Sequence, residues 1–554
     1  MGRLILARHI GVMLVLAVGG SVAGSTAGAP GSTPAVPDFL RYDRPATFSA
    51  VAEQVSVPMR DGVGLRCALR RPGRDATPAE GRFPGLVTNF FAYRALQEAS
   101  FGDEASWFSE RGYVTLMCSP RGSGGSPGHW RPFRAQEQRD NYDLIEWLAA
   151  QPWSTGKVGQ TGASYGGIST YRAVAARPPH LTAAAPIVSY SRLYDEIVYP
   201  GGIRGSILRW WPSFTWATAI PGEGPAGILG GFADSVAFER DAAAHPTYDD
   251  YWREADIDTA AVDASQIPVL GLGGWHDLFP RGMVANYEAA RDQSWLVMFP
   301  WAHSDVVPGN PNYGPADNAL LAWFDHWLLD LPGAPLPSSR VTSWELPKRR
   351  GRWVALPDYP AAPSPETLFL NADGTLAGRA RTAGAVTYTV NPFDTGCACA
   401  DHGMSTYPDD PANDQQAADQ ARTHFDSAAL AHDTVIAGAP LAHLRASLSA
   451  SDGNLVVRLE DVAADGASAI ITTGWLRASH RQSHEHPEAL HPGQTYDYDV
   501  HLWPTHWRVA AGHHLRVSLS SGDVAAIEPN APPGTVTILT GTGGSVVELP
   551  VASS

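Results

Sequence analysis

Three short stretches of this sequence carry side chains that could together activate a hydroxyl at neutral pH. Thr161-Gly162-Ala163-Ser164-Tyr165-Gly166-Gly167 sets a serine among glycines. Gly273-Gly274-Trp275-His276-Asp277 offers a carboxylate, and Trp301-Ala302-His303-Ser304-Asp305 an imidazole. A serine attacks a carbonyl only when a base takes its proton, and the base needs a carboxylate to hold its tautomer. The chain order Ser164, Asp277, His303 is the one in which a parallel sheet presents such a set, each just after a strand. Ser164 is therefore the candidate nucleophile, His303 the base and Asp277 the acid.

Other residues compete for these roles. His276 adjoins Asp277, and sequence neighbours point in different directions. Asp305 follows the histidine and reads as a solvated loop residue. His326 lies inside an amphipathic segment and reads as packing. A tetrahedral intermediate also needs at least two donors for its oxyanion. The Tyr165 amide, at the start of a helix, is one. The second usually comes from a glycine-rich loop, but here Asn89-Phe90-Phe91-Ala92-Tyr93-Arg94 contains no glycine. The Tyr93 hydroxyl could substitute, being protonated at neutral pH; packing is its alternative role.

These side chains need a scaffold. Gly-x-Ser-x-Gly between an apolar run (Val158 to Gly162) and a helix-compatible one (Ile168 to Ala176) predicts a sharp strand–turn–helix junction. Phe83 to Thr88, Tyr113 to Cys118, Leu181 to Val188, Ile267 to Gly273 and Trp295 to Pro300 read as buried strands. Glu98 to Arg111, Asn141 to Gln151 and Ala316 to Asp330 read as helices. Val55 to Leu69, turning at Arg60-Asp61-Gly62, reads as a hairpin. The alternation predicts an α/β fold, a mostly parallel sheet with helices on both faces.

Between about 190 and 264 the alternation breaks into an aromatic-rich stretch, expected to form a cap over the carboxyl edge of the sheet. A substrate pocket would draw on Trp210 and Trp211 there, on Trp275, and on the carboxylates Asp195 and Glu196, which also suit a solvated helix start. Beyond about Arg350 short alternating runs between turns predict a β-sandwich, read as a jelly roll. The expected division is 1–29 for an export signal and tail, 30–350 for the catalytic unit with its cap, and 351–554 for the sandwich.

The N-terminus carries Arg3 and Arg8 ahead of the apolar run Ile10 to Val22, the pattern of an export signal. Cleavage is expected after Ser21-Val22-Ala23, since Ala27-Gly28-Ala29 would leave Pro30 next to the cut. The run is shorter than a membrane span needs. With 40 basic and 56 acidic residues among 554, clustered phosphate contacts are not expected, which argues against a nucleic-acid partner. Of four cysteines, Cys67 and Cys118 are buried thiols or, if their strands are neighbours, a bridge; Cys397 and Cys399 suit neither a bridge nor a metal pair well. His480, His484, His486 and His491 fall among polar residues and read as an exposed loop. Arg121, in a glycine-rich loop, reads as an anchor for that loop. No metal or other cofactor is called for.

Taken together, Tyr93, the Ser164 heptapeptide, Gly274-Trp275-His276-Asp277 and Pro300-Trp301-Ala302-His303-Ser304 resemble the cocaine esterase-like and X-Pro dipeptidyl-peptidase (S15, CocE/NonD) hydrolases. Gln151-Pro152-Trp153, Phe324-Asp325-His326-Trp327-Leu328, Arg458-Leu459-Glu460-Asp461-Val462 and Gly512-His513-His514-Leu515-Arg516-Val517 extend the resemblance over nearly the whole chain after the signal. It implies an α/β-hydrolase domain, a helical cap, a C-terminal jelly roll and a tyrosine hydroxyl in the oxyanion hole, here Tyr93. α-Amino acid ester hydrolases of this kind bind a substrate ammonium with a carboxylate cluster, part of which lies two and three positions after the catalytic acid. Here those positions hold Phe279 and Pro280, so the resemblance favours an exported esterase or acylase acting on a small ester or amide. X-Pro dipeptidyl-peptidase or α-amino acid ester hydrolase is the alternative. A non-catalytic secreted carbohydrate- or wall-binding protein is the reading of a different class.

Overall fold

The computed structural model describes residues 36–361, 365–395, 407, 410 and 413–552. The segment read as an export signal and the pair Cys397/Cys399 lie outside the described residues. Eleven strands form one sheet: β1 (Ser49–Pro58), β2 (Gly64–Arg74), β3 (Thr77–Pro78), β4 (Phe83–Thr88), β5 (Val114–Cys118), β6 (Ser154–Ala163), β7 (Leu181–Ile187), β8 (Val269–Gly274), β9 (Ser294–Phe299), β10 (Val341–Glu345) and β11 (Arg352–Leu356). Their order is β1-β2-β5-β4-β6-β7-β8-β9-β10-β11, with β3 on β2. Pairing is parallel from β5 through β10, and antiparallel at both ends.

The centre of the sheet is parallel because its strands are apolar on both faces. All five residues of β5 are buried, as are five of the six of β4. The helices Phe101–Ser109, Ala135–Ala149, Tyr165–Ala176, Pro280–Ala289 and Gly314–Trp327 cover its faces. The stretch read as one helix from Glu98 is two, Arg94–Ala99 and Phe101–Ser109.

Strand order also fixes where a site can lie. The chain leaves β4 towards β5 on one side, whereas β6 leads to β7 on the other. The carboxyl ends of β4 and β6 thus flank a crevice from which the loops diverge. Ser164 follows β6, and Tyr93 lies in the loop after β4.

Between β7 and β8 the chain forms the cap, with helices Trp211–Ala219, Pro225–Ala244, Asp250–Arg253 and Thr259–Ser265. The C-terminal part is antiparallel: a seven-stranded sheet, a four-stranded sheet and a two-stranded pair form a sandwich-like domain. The proposed break at 350 falls inside the first sheet. Arg352–Leu356 pairs with Val341–Glu345 as the last strand of that sheet. Alternation alone could not show which sheet this short strand would join.

Cys67 and Cys118 are paired neighbours on β2 and β5 and form a disulfide. The cap also touches the sandwich: Gly205 bridges Ile527, and the Ser206 amide donates to the Ala526 carbonyl at 2.9 Å.

Candidate active site

β6 ends at Ala163 and the next helix begins at Tyr165, so Ser164 alone makes the turn. Its φ of 59° and ψ of −117° lie where a non-glycine residue is strained. The glycines around it answer to crowding. A Cβ on Gly162 would sit 2.9 Å from Gly166 Cα, and one on Gly167 would sit 2.1 Å from the Ile187 carbonyl oxygen. Within this buried run Ser164 remains partly exposed.

His303 Nε2 stands 3.1 Å from Ser164 Oγ, and its Nδ1 stands 2.7 Å from Asp277 Oδ2. The other Asp277 oxygen accepts the Phe279 amide at 2.9 Å, which fixes the carboxylate. Asp277 is fully enclosed. A carboxylate on Nδ1 places the imidazole proton there and leaves Nε2 with its lone pair towards the serine. Among the described residues no group of three or more His, Cys, Asp or Glu is placed to hold a metal ion.

The rivals lie elsewhere. His326 packs edge-on against Trp327, and His276 is buried with its ring edge-on to Tyr407. Asp305 is no solvated loop residue; it is buried, 3% exposed. Its Oδ2 accepts the Ala302 amide at 3.0 Å and the Tyr407 hydroxyl, and its Oδ1 accepts Asn312 Nδ2 at 2.8 Å. It braces the turn that carries His303. Two of its partners are distant or side-chain groups, which spacing cannot reveal.

Tyr93 is buried, and the loss of solvent raises its hydroxyl pKa to about 12, so it stays a donor. Its ring meets that of Tyr165 edge-on at 5.8 Å, and its oxygen accepts the Trp211 indole N–H at 2.8 Å. The helix after Ser164 makes its first internal bond from the Ile168 amide to the Ser164 carbonyl. The Tyr165 amide thus lies at the open end of the helix, where N–H groups lack intrahelical partners. Tyr165 turns its own hydroxyl away, donating to Glu137 Oε2 at 2.6 Å. Burial raises the Glu137 carboxyl pKa to about 7.

The pocket residues divide. Trp211 stacks on Phe133 and faces Tyr93; Trp210 packs on Phe214, which packs on Tyr93. Trp275 turns the other way: its indole donates to Ser343 Oγ at 3.1 Å and packs on Tyr359. Trp275 stands just past the end of β8, and these two partners occupy its ring and its N–H. Asp195 and Glu196 are buried, not a solvated helix start. Asp195 pairs with Arg281 at 3.1 Å and Arg192 at 3.4 Å. Glu196 accepts the Ser191 and Arg192 amides, and burial raises its pKa to about 8. The histidine loop is only partly exposed. His480 packs against Gly202 of the cap, its Nδ1 3.1 Å from that of His484. Arg121 grips Asp140 and Asp61.

Known proteins resemble this chain over both of its halves. The pattern of the X-Pro dipeptidyl-peptidase (S15 family) matches residues 61–305, and that of the X-Pro dipeptidyl-peptidase C-terminal non-catalytic domain matches 336–544. The chain is 26% identical to the cocaine esterase of Rhodococcus sp. (strain MB1 Bresler), over 88% of this chain and 93% of that one. It is 23% identical to the Xaa-Pro dipeptidyl-peptidase of Lacticaseibacillus rhamnosus, over 81% of this chain and 64% of that one. The fold of a CocE/NonD family hydrolase from Staphylococcus aureus superposes with a TM-score of 0.74 at 21% identity, covering 91% of this chain and 94% of that one. An α-amino acid ester hydrolase does so with the same score and identity, covering 94% and 100%.

Proposed function

Since the chain belongs to the S15 serine hydrolases, with an S15 catalytic unit and that family's C-terminal domain, we propose that it cleaves small esters or amides through an acyl-enzyme. Ser164 attacks the acyl carbon while His303 Nε2 takes its proton. Asp277 holds the imidazolium that results. The oxyanion draws on the Tyr93 hydroxyl and the Tyr165 amide. His303 then returns its proton to the leaving group, and a water, deprotonated by the same nitrogen, releases the acyl group. The observation that carries this reading is the continuous contact Asp277–His303–Ser164, at 2.7 and 3.1 Å.

An apolar acyl group is favoured over an N-terminal dipeptide. Of the two cap carboxylates considered for an ammonium, Asp195 is already paired with Arg281 and Arg192, and Glu196 is taken up by the Ser191 and Arg192 amides. Phe279 stands two residues after Asp277, its ring 5.7 Å from that of His303. An apolar ring there offers no charge to an ammonium. We place the protein outside the cytoplasm; the N-terminal segment and the Cys67–Cys118 bridge support this.

A fluorophosphonate probe should label the native protein and not Ser164→Ala; equal labelling of both would overturn the assignment. p-Nitrophenyl acyl esters should be cleaved far faster than Ala-Pro-p-nitroanilide. Efficient release from the anilide, abolished by blocking its amino group, would instead make the enzyme a dipeptidyl-peptidase.

A further inference from the structure

The two donors proposed for the oxyanion come from different loops, one after β4 and one after β6. Catalysis by fixed donors requires them to keep their spacing to within a fraction of an ångström. Something must therefore tie the loops together. We propose that Asn89, the first residue after β4, is a positioning residue that locks the Tyr93 loop to the Ser164 turn.

Asn89 is buried, 1% exposed, and holds a left-handed φ of 50°. Asn tolerates that conformation better than most residues, because its short amide can bond locally. Its backbone N–H donates to the Thr161 carbonyl at 2.9 Å, continuing the β4–β6 pairing one residue beyond the strand. Its side-chain Oδ1 accepts the amide of Ala163, next to Ser164, at 3.0 Å. Ala163 N–H can only donate, so the orientation of the Asn89 amide follows. Its Nδ2 faces Glu104 Oε2 at 3.4 Å. Glu104 is itself held from the other side by the Tyr313 hydroxyl. One planar amide thus meets a donor at one end and an acceptor at the other, which neither Asp nor Leu could do.

The packing makes the same point. A Cβ on Gly162 or Gly166 would lie 3.0 Å from Asn89 Oδ1, so both glycines of the serine turn are shaped against this residue. Just beyond, Ser169 of the following helix donates to the Phe90 carbonyl at 2.9 Å, and Gln97 Nε2 to the Phe91 carbonyl at 3.0 Å. Asn89 and Phe90 are therefore fastened to the nucleophile turn and its helix, while Gln97, on the helix that follows Tyr93, holds Phe91 within the loop itself. Asn89 is the only one of these contacts that reaches the strand end on which Ser164 stands.

The inference rests on Tyr93 serving the oxyanion, and a double-mutant cycle separates the two. Asn89→Gly keeps the backbone conformation accessible and deletes the amide; Asn89→Asp keeps the acceptor for Ala163. Each is made alone and with Tyr93→Phe. Turnover of a p-nitrophenyl ester and inhibition by a trifluoromethyl ketone, which forms a tetrahedral adduct, are then measured. Asn89→Gly should lower kcat about tenfold or more with KM within about threefold, and weaken the ketone by a similar factor. In the Tyr93→Phe background the same change should cost less than about twofold, because the donor it positions is gone. Asn89→Asp should fall between wild type and Asn89→Gly, and carries the same cycle should the glycine variant not fold. Equal losses in both backgrounds, or no loss in either, would overturn the role of Asn89 while leaving Tyr93 in place. A Tyr93→Phe enzyme with wild-type kcat would overturn both.

Discussion

The indole N–H of Trp211 donates to the hydroxyl oxygen of Tyr93 at 2.8 Å, joining a cap helix to the loop after β4. With that oxygen already accepting, the Tyr93 proton is left for another acceptor, and accepting polarises the hydroxyl into a better donor. The cap thus helps to set the direction of one proposed oxyanion donor as well as covering the sheet edge. Tyr93→Phe should lower kcat about 10²–10³-fold, the range found when one such donor is removed. Trp211→Phe keeps a ring in place and removes only the N–H. It should cost about three- to tenfold in kcat, the worth of roughly one neutral hydrogen bond. Steady-state kinetics on one acyl ester tests both, and a Trp211→Phe loss equal to that of Tyr93→Phe would mean that the cap itself had moved.

Asp277→Asn should leave the fold intact and lower kcat about 10³–10⁴-fold. An amide on Nδ1 no longer stabilises the imidazolium and can reverse the tautomer. Circular dichroism and turnover of the same ester decide this; a loss below about tenfold would remove Asp277 from the proposed role.

Asp305 predicts a different signature. It touches neither Ser164 nor the His303 ring in the described contacts, yet it braces the turn through Ala302, Asn312 and Tyr407. Asp305→Ala leaves a buried amide unpaired, and should lower the melting temperature together with an approximately tenfold fall in kcat at little change in KM. Tyr407→Phe should give the milder form of the same pattern, readable by differential scanning fluorimetry beside kinetics.

Glu137 and Glu196 make stability depend on pH. Burial raises their pKa values in the folded protein from 4.5 to about 7 and about 8. A carboxyl raised in this way stabilises the fold most below its unfolded value. That stability fades as pH climbs through the folded pKa, at up to about 1.4 kcal/mol per pH unit for each group. Glu137→Gln keeps an acceptor for the Tyr165 hydroxyl and does not ionise. Its stability relative to wild type should therefore increase between about pH 4.5 and 7, measured as the difference in melting temperature at either end. A difference that stays constant across the window would show that Glu137 does not titrate there.

The Cys67–Cys118 bridge closes a loop of sequence separation 51. Opening it should destabilise the protein by about 2–4 kcal/mol. Intact mass before and after alkylation reports the bond, and thermal melts with and without a non-thiol reductant report its worth.

Much of this molecule is legible in the chain alone. Apolar runs of five or six residues mark β4, β5, β8 and β9, and the glycines around Ser164 mark the turn, because these signals are local. A buried strand needs apolar neighbours in the chain itself, and a cramped turn needs its glycines within three residues. The order of Ser164, Asp277 and His303 follows from the order of the strands that carry them. Tertiary structure alone decides what the side chains at the strand ends face. Trp275 turns to Ser343, Asp195 is taken by Arg281, Asp305 is reached by Tyr407, and Asn89 links Ala163 to Glu104. Those partners lie from 15 to 102 residues away, on another element, and no spacing in the sequence encodes the meeting. Arg352–Leu356 shows the same limit, since its alternation suits either sheet and only pairing with Val341–Glu345 assigns it. Sequence determined which chemical groups stand at the carboxyl edge of the sheet and in what order, because periodicity and steric crowding act between near neighbours. Structure determined which of those groups meet, because that depends on side-chain direction and long-range packing.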